Sequence, residues 1–323
     1  DAVAINSTGT LGFKTAANTF YPRRVVMEEA TGTWCGWCVR GIESIERLMA
    51  EFPDNFIAIG LHSGDEMSDI AGYGQVTRQF SSYPSCLINR MELTDPAYPK
   101  VLPMVEAIKD QAEAKVSATA IYAKPDSSAV TVTTESIFGF SDDKTADFRL
   151  AFVVVEDHVG PYVQSNYYSG QPLDADSEFM REWVDIPAKV QLEFNDVARG
   201  LYGGANGVEG SLPTVIKEGE AYNYTYSFTL PQTIQDKKNI RIVALLVDNA
   251  TSEIVNACQT NVAYDQSVEK QVFEFRNGDS GLLDNATVSY YAMTEGDGVA
   301  SCGTNLNPNQ EGLSVRLFEA REA

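Results

Sequence analysis

Trp34-Cys35-Gly36-Trp37-Cys38 is the stretch from which the fold of this chain is read: two thiols separated by two residues, behind a tryptophan, describe a redox dithiol. The chemistry accounts for the spacing. With the first cysteine at the N-terminus of a helix, unpaired amide N–H groups and the positive end of the macrodipole favour its thiolate and lower its pKa. Cys35 is then the attacking sulfur. Cys38, one helical turn on, resolves the mixed disulfide and leaves a Cys35–Cys38 bridge. Half of a zinc site is the first alternative, but it needs a second Cys or His pair, and the histidines are the widely separated His62 and His158. A merely structural disulfide is the second. A ring this short constrains little unfolded-chain entropy and so explains the motif less well.

The flanks supply the context. Arg24-Val25-Val26-Met27-Glu28-Glu29 has the β-branched content of a strand, and Thr31-Gly32-Thr33 makes a loop with a glycine hinge. Ile42, Ile45, Leu48, Met49 and Phe52 recur at helical spacing until Pro53, so the dithiol opens an amphipathic helix. Asn55-Phe56-Ile57-Ala58-Ile59-Gly60-Leu61-His62 reads as a buried strand, and the order strand, helix, strand implies a right-handed βαβ unit. A helix is predicted over residues 70–82. After it, Tyr83-Pro84-Ser85-Cys86-Leu87-Ile88-Asn89 leads from a proline straight into an apolar strand.

Strand, W-C-x-x-C helix, second strand and x-Pro entering a third strand resemble the thioredoxin fold over residues 22–115. The resemblance implies that Tyr83-Pro84 is a cis peptide facing the dithiol, where neighbouring backbone pairs with a client peptide. It also implies a buried acid six residues ahead of the first cysteine, the offset of Glu29, which would shuttle the proton of Cys38. Strand alternation leaves open whether Glu29 or Glu28 is the inward acid. Trp37 replaces the proline usual in W-C-G-P-C, a change that tunes redox poise. Around Gly36, Trp34 and Trp37 offer an aromatic patch for gripping polypeptide, with packing on the domain surface as the other reading. The longer string Glu28-Glu29-Ala30-Thr31-Gly32-Thr33-Trp34-Cys35-Gly36-Trp37-Cys38, with Arg40-Gly41, is similar to the twenty-eight-kilodalton outer-membrane lipoprotein family of Bacteroidetes. That likeness implies a thioredoxin-like domain joined to a β-sandwich and an exported, typically lipid-anchored protein of the cell envelope: outer membrane, periplasm or cell exterior.

The rest of the 323 residues fits more than one domain. A helix over 96–115, opened by Asp95-Pro96, would close the first. Beyond it, 117–122, 129–134, 148–155, 222–228, 240–247 and 253–258 are β-branched and often alternating, as in an immunoglobulin-like sandwich. The expected organisation is an N-terminal arm over 1–21, an α/β thioredoxin-like domain over 22–115, an all-β sandwich over 116–264 and a β-rich C-terminal extension over 265–323. The arm (Ala2-Val3-Ala4-Ile5, Thr10-Leu11-Gly12-Phe13) and the extension (Val272-Phe273-Glu274-Phe275, Thr287-Val288-Ser289-Tyr290-Tyr291, Leu313-Ser314-Val315-Arg316-Leu317-Phe318) would pair with each other. The long connection from Asp157 to about Ala188 holds His158, two tyrosines and Trp183 and is a candidate binding loop.

Twenty-four Lys and Arg against forty-five Asp and Glu give a net charge of −21, which disfavours nucleic acid and anionic membrane. Asp174-Ala175-Asp176 and Glu295-Gly296-Asp297 lack the spacing of a calcium loop and read as solvated surface. Of the remaining cysteines, Cys86 would lie near the dithiol as a small hydrophobe, and a Cys258–Cys302 bridge is conceivable but unfixed by spacing. Two functions follow. One is an envelope thiol-disulfide oxidoreductase acting on protein or peptide thiols and disulfides with Cys35, Cys38 and Glu29, needing no cofactor or metal beyond its own disulfide. The other is a surface binding or adhesin-like lipoprotein that uses the first domain as scaffold and the sandwich loops for its ligand.

Overall fold

The computed structural model describes residues 19–68, 70–123 and 128–263, together with the backbone of 290–293 and 299–303. The chain is mostly β and falls into two compact units, Asp1–Tyr264 and Asp265–Ala323. In the second, the described part is an antiparallel hairpin of Tyr290–Met293 with Val299–Gly303, in which Tyr290 faces Gly303. The arm strands expected within residues 2–13 and the tail strands expected at 272–275 and 313–318 lie outside the described residues, as does the side chain of Cys302.

In the first unit, the strand before the dithiol is β1 (Val25–Thr31), followed by α1 (Val39–Glu51) and β2 (Phe56–His62). β1 and β2 are parallel, with Val25 beside Phe56 and Thr31 beside His62, and both are buried along their whole length. Near-continuous apolar runs are what a parallel pair covered on both faces requires. One face packs under α1: Val25, Met27, Phe56 and Ala58 meet Ile45 and Leu48 of α1 and Val101 and Val105 of a later helix. Fully burying each such aliphatic chain contributes about 1.5–3 kcal/mol.

The helix expected over 70–82 is only the single turn α2 (Gly74–Thr77). Its apolar spacing is helical, but Gly72 sits at φ +81° against the Leu201 carbonyl, where a Cβ would collide, and this contact breaks the helix before it starts. β3 (Ser85–Ile88) then pairs antiparallel with β1, and β4 (Glu92–Thr94) with β3. The helix expected over 96–115 is α3 (Tyr98–Ile108). It stops short because Ala112 bridges to Tyr21 and Ala114 already begins the next strand.

Beyond lie β5 (Ala114–Tyr122), β6 (Ala129–Phe138), β7 (Phe148–Glu156), β8 (Val159–Ser165), the short α4 (Arg181–Val184), β9 (Lys189–Phe194), β10 (Val197–Tyr202), β11 (Ala221–Thr229), β12 (Ile240–Asp248) and β13 (Ile254–Ala263). The expected β segments are therefore strands, but their arrangement is a single eleven-stranded sheet in the order β11-β6-β5-β13-β12-β7-β10-β2-β1-β3-β4. The junction is the pairing of β10 with β2, Val197 beside Gly60. One core crosses it: Val26, Ile59 and Tyr73 share a cluster with Val153, Val243 and Ala257. A second core, with Phe138, Phe152, Ile242 and Phe228, fills the far end of the sheet. β8 and β9 form a separate hairpin. Between them, the long connection packs Tyr168, Met180 and Trp183 onto Val39 and Ile42 of α1. Among the described residues no helix is long and apolar enough to cross a membrane.

Candidate functional site

Cys35 and Cys38 are joined in a disulfide with Cα atoms 5.3 Å apart, in the turn that feeds α1. The Cys35 N–H donates to the Gly32 carbonyl and the Cys38 N–H to the Cys35 carbonyl, so the turns leading into the helix are closed by the dithiol's own backbone. Cys38 is the helix cap and fully buried, whereas Cys35 keeps 5 % of its surface exposed. No acidic side chain occupies the first turn of α1 to oppose a thiolate there.

The indoles lie on two sides of this turn. Trp34, half exposed, donates its Nε1–H to the Ser63 carbonyl at 2.6 Å and lies 5.5 Å from the Tyr83 ring. The Tyr83-Pro84 peptide is cis, and Pro84 is buried directly ahead of β3, whose Ser85 pairs with Ala30 at the end of β1. Pro84 thus stands at the strand end from which the dithiol loop departs. Trp37, 45 % exposed, turns instead to Tyr167 and Tyr168, with ring centroids at 5.5 and 5.2 Å. Thr33 donates its N–H to Asp65 (2.9 Å), which also meets His62 Nδ1 at 2.8 Å. Although burial acts to raise it, the Asp65 carboxyl is held low by these hydrogen bonds and the one from the Met67 N–H.

The end of β8 covers the other flank, which sequence reasoning did not foresee. Ser165 N–H donates to the Thr33 carbonyl (2.8 Å), Tyr167 N–H to Gly36 (3.0 Å), and the buried Gln164 amide to Cys35 (3.0 Å). A Cβ on Gly36 would run into the Tyr167 ring, so glycine at this position is the one sequence trace of the contact. Replacing Gln164 with leucine leaves the Cys35 carbonyl with the Cys38 N–H as its remaining donor; the expected cost is about 0.5–1.5 kcal/mol, read by urea unfolding of the oxidised protein.

Both Glu28 and Glu29 are buried, on opposite faces of β1. Glu28 pairs with Arg90. Glu29 lies beneath the first turn of α1, against Gly41, where any Cβ would strike its carboxyl, and its Oε1 has no hydrogen-bond partner. Burial pushes its pKa well up; Arg40 opposes this, while Asp95 and Asp196 add to it. The folded protein therefore binds this proton more tightly than the unfolded chain. Stability falls as pH rises from the ordinary carboxylate range through the raised value, and a Glu29→Gln protein should lack that component of the slope. Urea unfolding of both proteins between about pH 5 and pH 8 measures it. Cys86, beside Glu29 on β3, is a free thiol raised by burial; Cys258 is also free and buried, pushed up to about 12.

Residues 75–266, more than half of the chain, match the family of the outer membrane protein Omp28. The chain belongs to the Omp28 family. This membership places it in the cell envelope of the bacterium. The matched residues begin after the dithiol, so the family and the Cys35–Cys38 site are separate observations about this Omp28-family protein. HBP35 of Porphyromonas gingivalis is similar in fold: TM-score 0.50, 16 % identity, covering 80 % of this chain and 83 % of that one. A domain of the outer membrane lipoprotein Omp28 from Porphyromonas gingivalis aligns over 47 % of this chain and 90 % of its own at 16 % identity and TM-score 0.27. No curated protein matches the chain.

Proposed function

We propose that this Omp28-family protein is a thiol-disulfide oxidoreductase of the cell envelope, and that β2-β1-β3-β4 with α1 and α3 is a thioredoxin-like layer carrying its dithiol. The observation that carries the reading is the Cys35–Cys38 disulfide in the turn that feeds a thirteen-residue helix, with Cys38 as its cap and a buried, unpartnered carboxyl beneath the helix's first turn. In the reduced protein the Cys35 thiolate attacks one sulfur of a client disulfide, forming a Cys35–client bond and expelling a client thiolate. Cys38 gives its proton to Glu29 and attacks Cys35 Sγ. The Cys35–Cys38 bond re-forms, the second client sulfur leaves, and two electrons have passed to the client. The reverse sequence oxidises a client dithiol, and a dithiol donor restores the reduced form.

Client backbone is received on the Trp34, Tyr83 and Pro84 side, because β8 already occupies the carbonyls of Thr33, Cys35 and Gly36. Trp37 supports that β8 cover through Tyr167 and Tyr168. Insulin reduction with a small dithiol donor tests the reading: the wild-type protein should accelerate it, Cys35→Ser should not, and Cys38→Ser should accumulate a mixed disulfide through Cys35. A protein inert in every redox buffer would make the bridge structural and favour the surface-binding alternative.

A further inference from the structure

Beneath α1, where β2 meets β10 and the β8–β9 hairpin folds over, lies a cavity of about 460 Å³, within the roughly 300–1,000 Å³ range of small-molecule sites. Its lining is apolar at Ile42, Ile45, Trp183 and Phe194, among others. It also carries the buried Glu29 and Asp196, the half-buried Asp157 and the exposed Glu46 and Glu193, together with His62 and His158. The guanidinium of Arg241, also in the lining, is already bound to both Asp157 and Asp196. Its charge is therefore spent, and the remaining balance is negative. Glu29, 2 % exposed, lines the cavity with a carboxyl that receives no hydrogen bond from the protein. A buried acceptor in that state calls for a donor from outside.

We propose that this cavity binds a small organic cation, an ammonium group on an apolar body, whether or not the dithiol turns over. The walls select the class. Anions meet the carboxylates, and a neutral apolar molecule leaves the Glu29 carboxyl unpaired. A metal ion needs converging ligands, and among the described residues no three His, Cys, Asp or Glu side chains form such a group. An ammonium instead places a charged donor against the carboxylates while its body packs on the apolar lining residues, Trp183 among them. The carboxyls themselves show the need. Burial, with Asp157 and Glu46 nearby, lifts Asp196 to about 6 in spite of Arg241. A cation relieves this crowding.

The test is calorimetric titration of the oxidised full chain with 2-phenylethylammonium, 2-phenylethanol and 3-phenylpropionate, three probes of one shape and different charge. The ammonium should saturate one site, with the alcohol at least about tenfold weaker and the carboxylate weaker still. Glu46→Lys, an exposed position that leaves folding alone, should weaken the ammonium by about tenfold or more, and Glu29→Gln should do the same. No saturable ammonium binding, equal binding of ammonium and alcohol, or an ammonium affinity untouched by Glu46→Lys would overturn the proposal.

Discussion

Turnover of the Glu29→Gln protein in insulin reduction should fall by about 10²–10⁴-fold, the usual worth of a positioned acid-base group. Cys38 is fully buried in the oxidised protein, which shields its sulfur from solvent as a proton acceptor. In the proposed mechanism the carboxyl beneath the turn takes the Cys38 proton, burial having raised its proton affinity and its Oε1 carrying no competing hydrogen bond. Glutamine has nearly the same shape and cannot accept the proton. The loss should fall on one step: single-turnover quench would show the Cys35–client mixed disulfide forming at the wild-type rate and then persisting. An unchanged resolution rate would remove Glu29 from the mechanism.

The Arg90→Met protein should be less stable by about 3–5 kcal/mol, the cost of leaving one partner of a buried ion pair uncompensated. Arg90 grips Glu28 with Nε and Nη2 at 2.8 and 2.7 Å and donates Nη1 to the Ala205 carbonyl. Glu28 is sealed from solvent and Arg90 is 9 % exposed. The pair therefore fastens β1 to the loop after β10. Removing both charges at once, in Glu28→Leu/Arg90→Met, should recover most of the loss, since a well-packed apolar pair of similar volume costs little. Urea unfolding of the two variants decides the point. An Arg90→Met cost within about 0.5 kcal/mol, as at an ordinary surface site, would contradict it.

What was legible in the sequence was local. The apolar stripe of α1, the runs of β1 and β2 and the dithiol between them declare themselves within thirty residues or so, each by spacing and residue type. The inward acid was not resolved because alternation assumes a strand with one wet face, whereas β1 is covered on both and buries Glu28 and Glu29 alike. The change of texture after residue 115 marks where helices stop. It does not show that β10 reaches back to pair with β2, a register set by one Val197–Gly60 contact across the chain. The cover over the dithiol was illegible for a different reason: Ser165 and Tyr167 hold Thr33 and Gly36 through backbone groups, which every residue type has.

The most direct measurement is the pH dependence of alkylation of the reduced protein, with each cysteine followed by mass spectrometry. Cys35 should react with an apparent pKa clearly below the free-cysteine value of about 8.5, while Cys38, Cys86 and Cys258 stay protected. Alkylation of Cys35 at or above that value, or no faster than the buried thiols, would contradict an activated nucleophile at the head of α1.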